Sequence, residues 1–150
     1  MELEQAIKQY DFESREQRLG LNIIFSFNWI REKQKVYFLE YGITSQQYNV
    51  LRILRGNYPN VYSTSDIRER MLDKMSDASR IVDRLVKKKL VDRITNKKDK
   101  RLVDIKISDN GLALLKRMDY TIETHAQSPF ENLTKEEQHQ LDALLDKMRA

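Results

Sequence analysis

Between residues 14 and 39 the apolar positions Leu19, Ile23, Phe27 and Ile30 fall on one face of a helix, while Phe25 and Trp29 mark another. A helix apolar on nearly all sides belongs either deep in a core or in a subunit interface, and a position near a chain end suits the second. Tyr41 and Gly42 break the pattern. A helix carrying Val50, Leu51, Ile53 and Leu54 follows and stops at Gly56. Its start is specified by Thr44 as N-cap with Gln47 three residues on, and by Ile43 and Tyr48 placed as a hydrophobic staple. Asn57-Tyr58-Pro59-Asn60 reads as a loop, and Ser63 with Asp66 opens a short helix whose apolar side is Ile67 and Met71.

After a turn around residues 73–75, the spacing predicts a helix over 76–89 with Ala78, Ile81, Val82 and Leu85 inward. Its other side carries Ser76, Asp77, Arg80, Asp83, Arg84, Lys87 and Lys88. Two short strands are predicted at 90–94 and 102–107; in the second, Val103, Ile105 and Ile107 alternate with polar or outward positions. The intervening residues 95–101 are polar with nothing to bury, so they form a projecting basic hairpin tip. Ser108 is placed to cap a helix through Leu112, Leu115, Met118 and Ile122, ending near His125. Pro129 interrupts, and a final helix starts at the capping pair Thr134 and Glu137 with Leu141, Leu144, Leu145 and Met148 as its stripe.

The chain therefore reads as mainly α with a small β-hairpin. With 150 residues, 40% hydrophobic, 33% charged, four glycines and two prolines, it suits a single helical unit and argues against disorder or an all-β sandwich. There are no cysteines, which excludes disulfides, thiolate metal sites and a cysteine nucleophile. Residues 1–10 lack a signal peptide's basic start and apolar run, and no stretch reaches a membrane span, so a cytoplasmic location is expected. Residues 74–101 hold eleven Lys or Arg against four Asp, so the net charge of +4 for the whole chain is concentrated in one segment, the footprint of a phosphate-binding surface.

The order helix, helix, short helix, turn, polar-faced helix, basic hairpin is that of a winged helix-turn-helix, in which the second helix of the turn motif enters the major groove and the wing reaches backbone or minor groove. The candidate recognition helix offers Ser76, Asp77, Ser79, Arg80, Arg84, Lys87 and Lys88; the candidate wing offers Asn96, Lys97, Lys98, Asp99, Lys100 and Arg101. Alone, the 87–89 lysine run suits a solvated helix C-terminus; beside the arginines and the hairpin it suits DNA contact. The alternative is a winged-helix module that binds a protein partner through the same basic face without specific DNA binding.

Trp29, Tyr37, Tyr41 and Tyr48 either pack a core or line an aromatic pocket; of these, Trp29 and Tyr48 are the ligand-pocket candidates. His125 and His139 are the only histidines and lie apart without further ligands, so no metal or other cofactor is expected. No glycine-rich phosphate loop or catalytic triad is recognisable, so an enzyme is not expected.

Three stretches carry a resemblance to a known family: residues 79–85 in the recognition helix, Leu90-Val91-Asp92-Arg93 before the wing, and Asp99-Lys100-Arg101 followed by Ile107-Ser108-Asp109-Asn110-Gly111. In these the chain resembles the multiple-antibiotic-resistance regulator (MarR) family of winged helix-turn-helix transcription regulators. The resemblance implies that Arg101 is directed at the minor groove, with Asp99 holding the wing, and that Arg80 and Arg84 face DNA. It also implies a homodimer, with dimerisation helices at 14–42 and 109–150 flanking a DNA-binding part at 43–108. The implied function is a regulator, usually a repressor, on a pseudo-palindromic operator of double-stranded DNA, modulated in some members by a small lipophilic or phenolic effector. Two residues depart from the family pattern. Lys89 stands where glycine is usual, which predicts strain or an altered helix end if the backbone turns left-handed there. Ser108 stands where threonine is common, a change that keeps capping intact.

Overall fold

The computed structural model describes residues 1–96, 99–125 and 128–150, with their side chains except at 120–125. It divides into two compact units, Met1–Met118 and Asp119–Ala150. In chain order the elements are α1 (Leu3–Ile7), α2 (Arg15–Glu40), α3 (Ser45–Gly56), β1 (Tyr62–Ser63), α4 (Thr64–Arg70), α5 (Ala78–Lys87), β2 (Val91–Thr95), β3 (Val103–Ile107), α6 (Asp109–His125) and α7 (Lys135–Met148). The second unit comprises the end of α6 and α7. Among the described residues, no helix is long and apolar enough to cross a membrane.

The helix starts follow the expected caps. Ser14, a cap the sequence pattern did not single out, also accepts from the Gln17 N–H at the head of α2. Thr44 with Gln47, Ser63 with Asp66, and Thr134 with Glu137 each form a reciprocal capping box. Replacing such a cap by alanine costs about 1 kcal/mol. The core of the first unit is one cluster: Phe38 of α2, Ile43, and Val50, Leu51 and Leu54 of α3 with Ile67, Met71, Ala78, Val82, Leu85, Val91, Ile105, Ile107, Leu115 and Met118. It fastens α3, α4, α5, the sheet and the start of α6 to one another. α1, which the sequence pattern left unassigned, buries Leu3 and ties Glu4 to Arg18 of α2 at 2.6 Å.

The hairpin pairs in register from Val91↔Ile107 to Thr95↔Val103. A third strand was not anticipated: β1 pairs with β3 through Tyr62↔Ile105 and Ser63↔Asp104, giving the order β1-β3-β2. Two residues carry no readable period, so only the tertiary pairing reveals that strand.

α5 is also shorter than the 76–89 span. At its start the Asp77 carboxylate accepts from the Arg80 N–H at 3.1 Å, which makes Asp77 the cap and leaves Ser76 in the preceding turn. At its end Lys89 has φ 57°, and the bonds Lys89 N–H to Val86 C=O (2.8 Å) and Leu90 N–H to Leu85 C=O (3.0 Å) form a Schellman closure. The left-handed turn is kept although a lysine occupies it. The strand that follows is clamped: the Ser108 hydroxyl donates to the Lys89 carbonyl at 2.8 Å, and the Ser108 N–H to the Leu90 carbonyl at 3.1 Å. Gly111 permits this approach, since a Cβ there would lie 2.3 Å from the Leu90 carbonyl oxygen.

Candidate nucleic-acid interface

α5 is divided cleanly. Ala78, Val82 and Leu85 are buried, while Ser79, Arg80, Asp83, Arg84, Lys87 and Lys88 are exposed. Two of these polar residues are engaged within the fold. Asp83 forms an ion pair with Arg93 of β2, and the Lys88 ammonium donates to the Gly42 carbonyl at the α2–α3 junction. The first pair places a cation against the one acid in the middle of the exposed face, so Asp83 opposes an approaching phosphate less than its sequence position implies. The sequence pattern gave no sign of it, because the partners are ten residues apart on a helix and a strand.

Ser76 and Asp77 sit at the entry to α5. The Ser76 hydroxyl donates to Asp73 at 2.8 Å, and Asp77 is occupied as the cap. Both nevertheless border a surface cavity of about 260 Å³ lined also by Thr44, Gln46, Gln47, Arg80, Ile81 and Arg84. The first turn of α3 therefore belongs to the same polar surface as α5. The Thr44 capping box was legible in sequence, but nothing there placed it beside Arg80. A larger groove of about 620 Å³ lies along Val86, Lys89, Val91, Asp92, Arg93, Ser108, Asp109 and Asn110.

The described residues of the wing are braced by their own polar side chains. The Asp99 carboxylate accepts from the Arg101 backbone N–H at 3.0 Å, from its Nε at 3.2 Å and from its Nη2 at 3.3 Å. The Arg101 guanidinium, then the Arg101 N–H, hold the Asp99 carboxyl below the usual carboxylate range. Asn96 accepts from the Asp99 N–H at 3.0 Å and donates to Asp104 at 2.9 Å, which links the tip to β3. Arg101 itself is 90% exposed, and Lys100 is exposed beside it. Lys97 and Lys98 lie outside the described residues.

Trp29 is exposed on α2 with the Lys33 ammonium 4.4 Å from its ring centroid. Tyr48 is half-buried, its ring 4.9 Å from that of Phe38. Neither lines the two cavities above. Among the described residues no group of three or more His, Asp or Glu is arranged to hold a metal.

A helix with a buried apolar stripe and an exposed basic face, followed by a hairpin that displays an arginine, defines a winged helix-turn-helix of the DNA-binding class. Residues 41–102 match the model of the MarR family. A mutant MarR of Escherichia coli complexed with operator DNA superposes with a TM-score of 0.77 at 26% identity, covering 93% of this chain and 99% of that one. The HTH-type transcriptional regulator PapX of Escherichia coli is 26% identical over 121 residues, 81% of this chain and 74% of PapX. The HTH-type transcriptional repressor MdtR of Bacillus subtilis is 37% identical over 70 residues, 47% of this chain and 44% of MdtR. The winged-helix part of the chain thus matches the MarR family of transcription regulators, and over nine-tenths of its length the chain shares the fold of a MarR structure.

Proposed function

We propose that the chain is a cytoplasmic, non-enzymatic repressor that binds a pseudo-palindromic operator as a homodimer. In this reading α5 lies in the major groove with Arg80, Arg84 and Lys87 toward bases and phosphates, and the wing extends Arg101 to the minor groove. The observation that carries it is the Asp99-braced, 90% exposed Arg101 following a helix whose exposed face is basic. Repression is supported by the likeness over 70 residues to MdtR, a transcriptional repressor. The homodimer is supported by Leu19, Ile24, Phe27, Val36 and Leu39 of α2 and Leu144 and Met148 of α7, all more than half exposed in the single chain.

Dimerisation helices at 14–42 and 109–150 then flank a DNA-binding part at 43–108. A small lipophilic or phenolic effector, received near Trp29 and Tyr48, would act only through its differential affinity for the two dimer arrangements. The test is a fluorescence-anisotropy titration with a labelled duplex selected on the protein against a scrambled duplex of equal length, at near-physiological salt. A preference of about a hundredfold or more supports the regulator. Equal, weak, salt-sensitive binding to both removes it and leaves a protein-binding module.

A further inference from the structure

The turn between α4 and α5 displays apolar side chains where a solvent-facing turn has no use for them. Among the described side chains Met75, at 93%, is the most exposed large apolar residue, and Leu72, at 87%, is otherwise exceeded only by Met1 at 91%. The turn that carries them is tightly bonded. The Leu72 N–H donates to Asn49 of α3 at 3.0 Å, the Met75 N–H to Asp73 at 3.0 Å, and the Ser76 hydroxyl to the other Asp73 oxygen at 2.8 Å. The Lys74 ammonium folds back onto the Glu69 carbonyl. The Ser76 hydroxyl, then the Met75 N–H, hold the Asp73 carboxyl below its usual range, so the brace is intact at neutral pH. The turn's polar atoms thus face one another and its apolar tips face out.

This turn runs directly into the cap of α5, Asp77, two residues beyond Met75. A recognition helix addresses base edges with its N-terminal residues, so in the function proposed above these tips adjoin the DNA-contacting surface without a break. The apolar feature a major groove offers is the C5 methyl of thymine. We propose that Leu72 and Met75 are specificity-determining residues that pack against thymine methyl groups at the edge of the sequence contacted by α5.

The inference rests on the regulator reading, and one experiment separates their failures. The probe is the duplex selected on the full chain from a randomised pool, with each thymine replaced singly by deoxyuridine, titrated against wild type and a Leu72→Ser/Met75→Ser variant. With wild type, loss of a contacted methyl weakens binding about fourfold, and the variant, weaker by about tenfold on the unmodified duplex, is indifferent to the same replacement. The salt slope is the same for both proteins, since no phosphate contact is removed. Both residues are solvent-facing, so thermal midpoint and dimer mass are unchanged. Identical deoxyuridine profiles or equal affinities for the two proteins overturn the inference and leave the regulator standing. A variant that loses its dimer mass overturns it in favour of a protein contact. Failure of wild type to select any duplex overturns both.

Discussion

α2 and α5 place the same kinds of residue to opposite ends. The ten residues of α5 bury Ala78, Val82 and Leu85 and turn a polar face to solvent, so folding of the single chain completes the helix. The 26 residues of α2 bury Phe38 alone and leave Leu19, Ile24, Phe27, Val36 and Leu39 more than half exposed. A hydrophobic stripe in sequence thus has two different fates in the single chain, burial in α5 and exposure in α2. In the homodimer proposed above, substitutions in α5's stripe therefore act on folding and substitutions in α2's stripe on assembly.

The largest expected effect breaks that comparison from the α2 side. Phe27→Asp inserts an unpaired carboxylate into the proposed interface and weakens the dimer by about 3–5 kcal/mol while leaving the monomer folded; sedimentation velocity and circular dichroism separate the two. Nearly as large, and opposite in kind, Leu85→Ala lowers unfolding stability by about 2–5 kcal/mol, read by urea denaturation of a monomeric background. A smaller and purely functional loss comes from Arg101→Ala, which weakens specific DNA binding by about 1–3 kcal/mol with stability and dimer mass unchanged. Unaltered affinity in a salt-controlled titration would remove the wing from the account.

Lys89→Gly goes the other way. It relieves a left-handed residue bearing Cβ and gains about 0.5–1 kcal/mol of stability after glycine's own entropy cost; thermal denaturation at fixed pH detects it. The smallest effect is titration of the wing. Because Asp99 has a lowered carboxyl in the folded state, its brace on Arg101 is complete at neutral pH and is lost as pH falls through that lowered value. The Arg101 amide signal should therefore titrate with a midpoint below the ordinary 3.8. A midpoint at or above that value would mean that the brace is absent in solution.

Much of the architecture is local and was legible for that reason. Capping boxes span three residues, and the hairpin shows its alternation within one strand. Lys89 marks the boundary of this legibility: its strain was foreseeable from the chemistry of a left-handed residue, but not the persistence of the turn, which depends on Ser108 and Gly111 some twenty residues on. Asp83 with Arg93, and the first turn of α3 beside Arg80, were illegible for the same reason, being tertiary meetings of residues that each look solvated in sequence. The cations of α5 and the wing could be proposed from charge density alone. Their roles are unequal, because Lys88 is turned to a backbone carbonyl while Arg101 is held outward.

In the proposed assembly the exposed stripe of α2 and the exposed basic face of α5 serve one complex, two copies on one duplex. Sedimentation velocity of the labelled selected duplex with the full chain tests it most directly. A single complex containing two chains per duplex, lost together with the dimer in Phe27→Asp, is expected; one chain per duplex at full affinity, unchanged by that substitution, rules the dimeric assembly out.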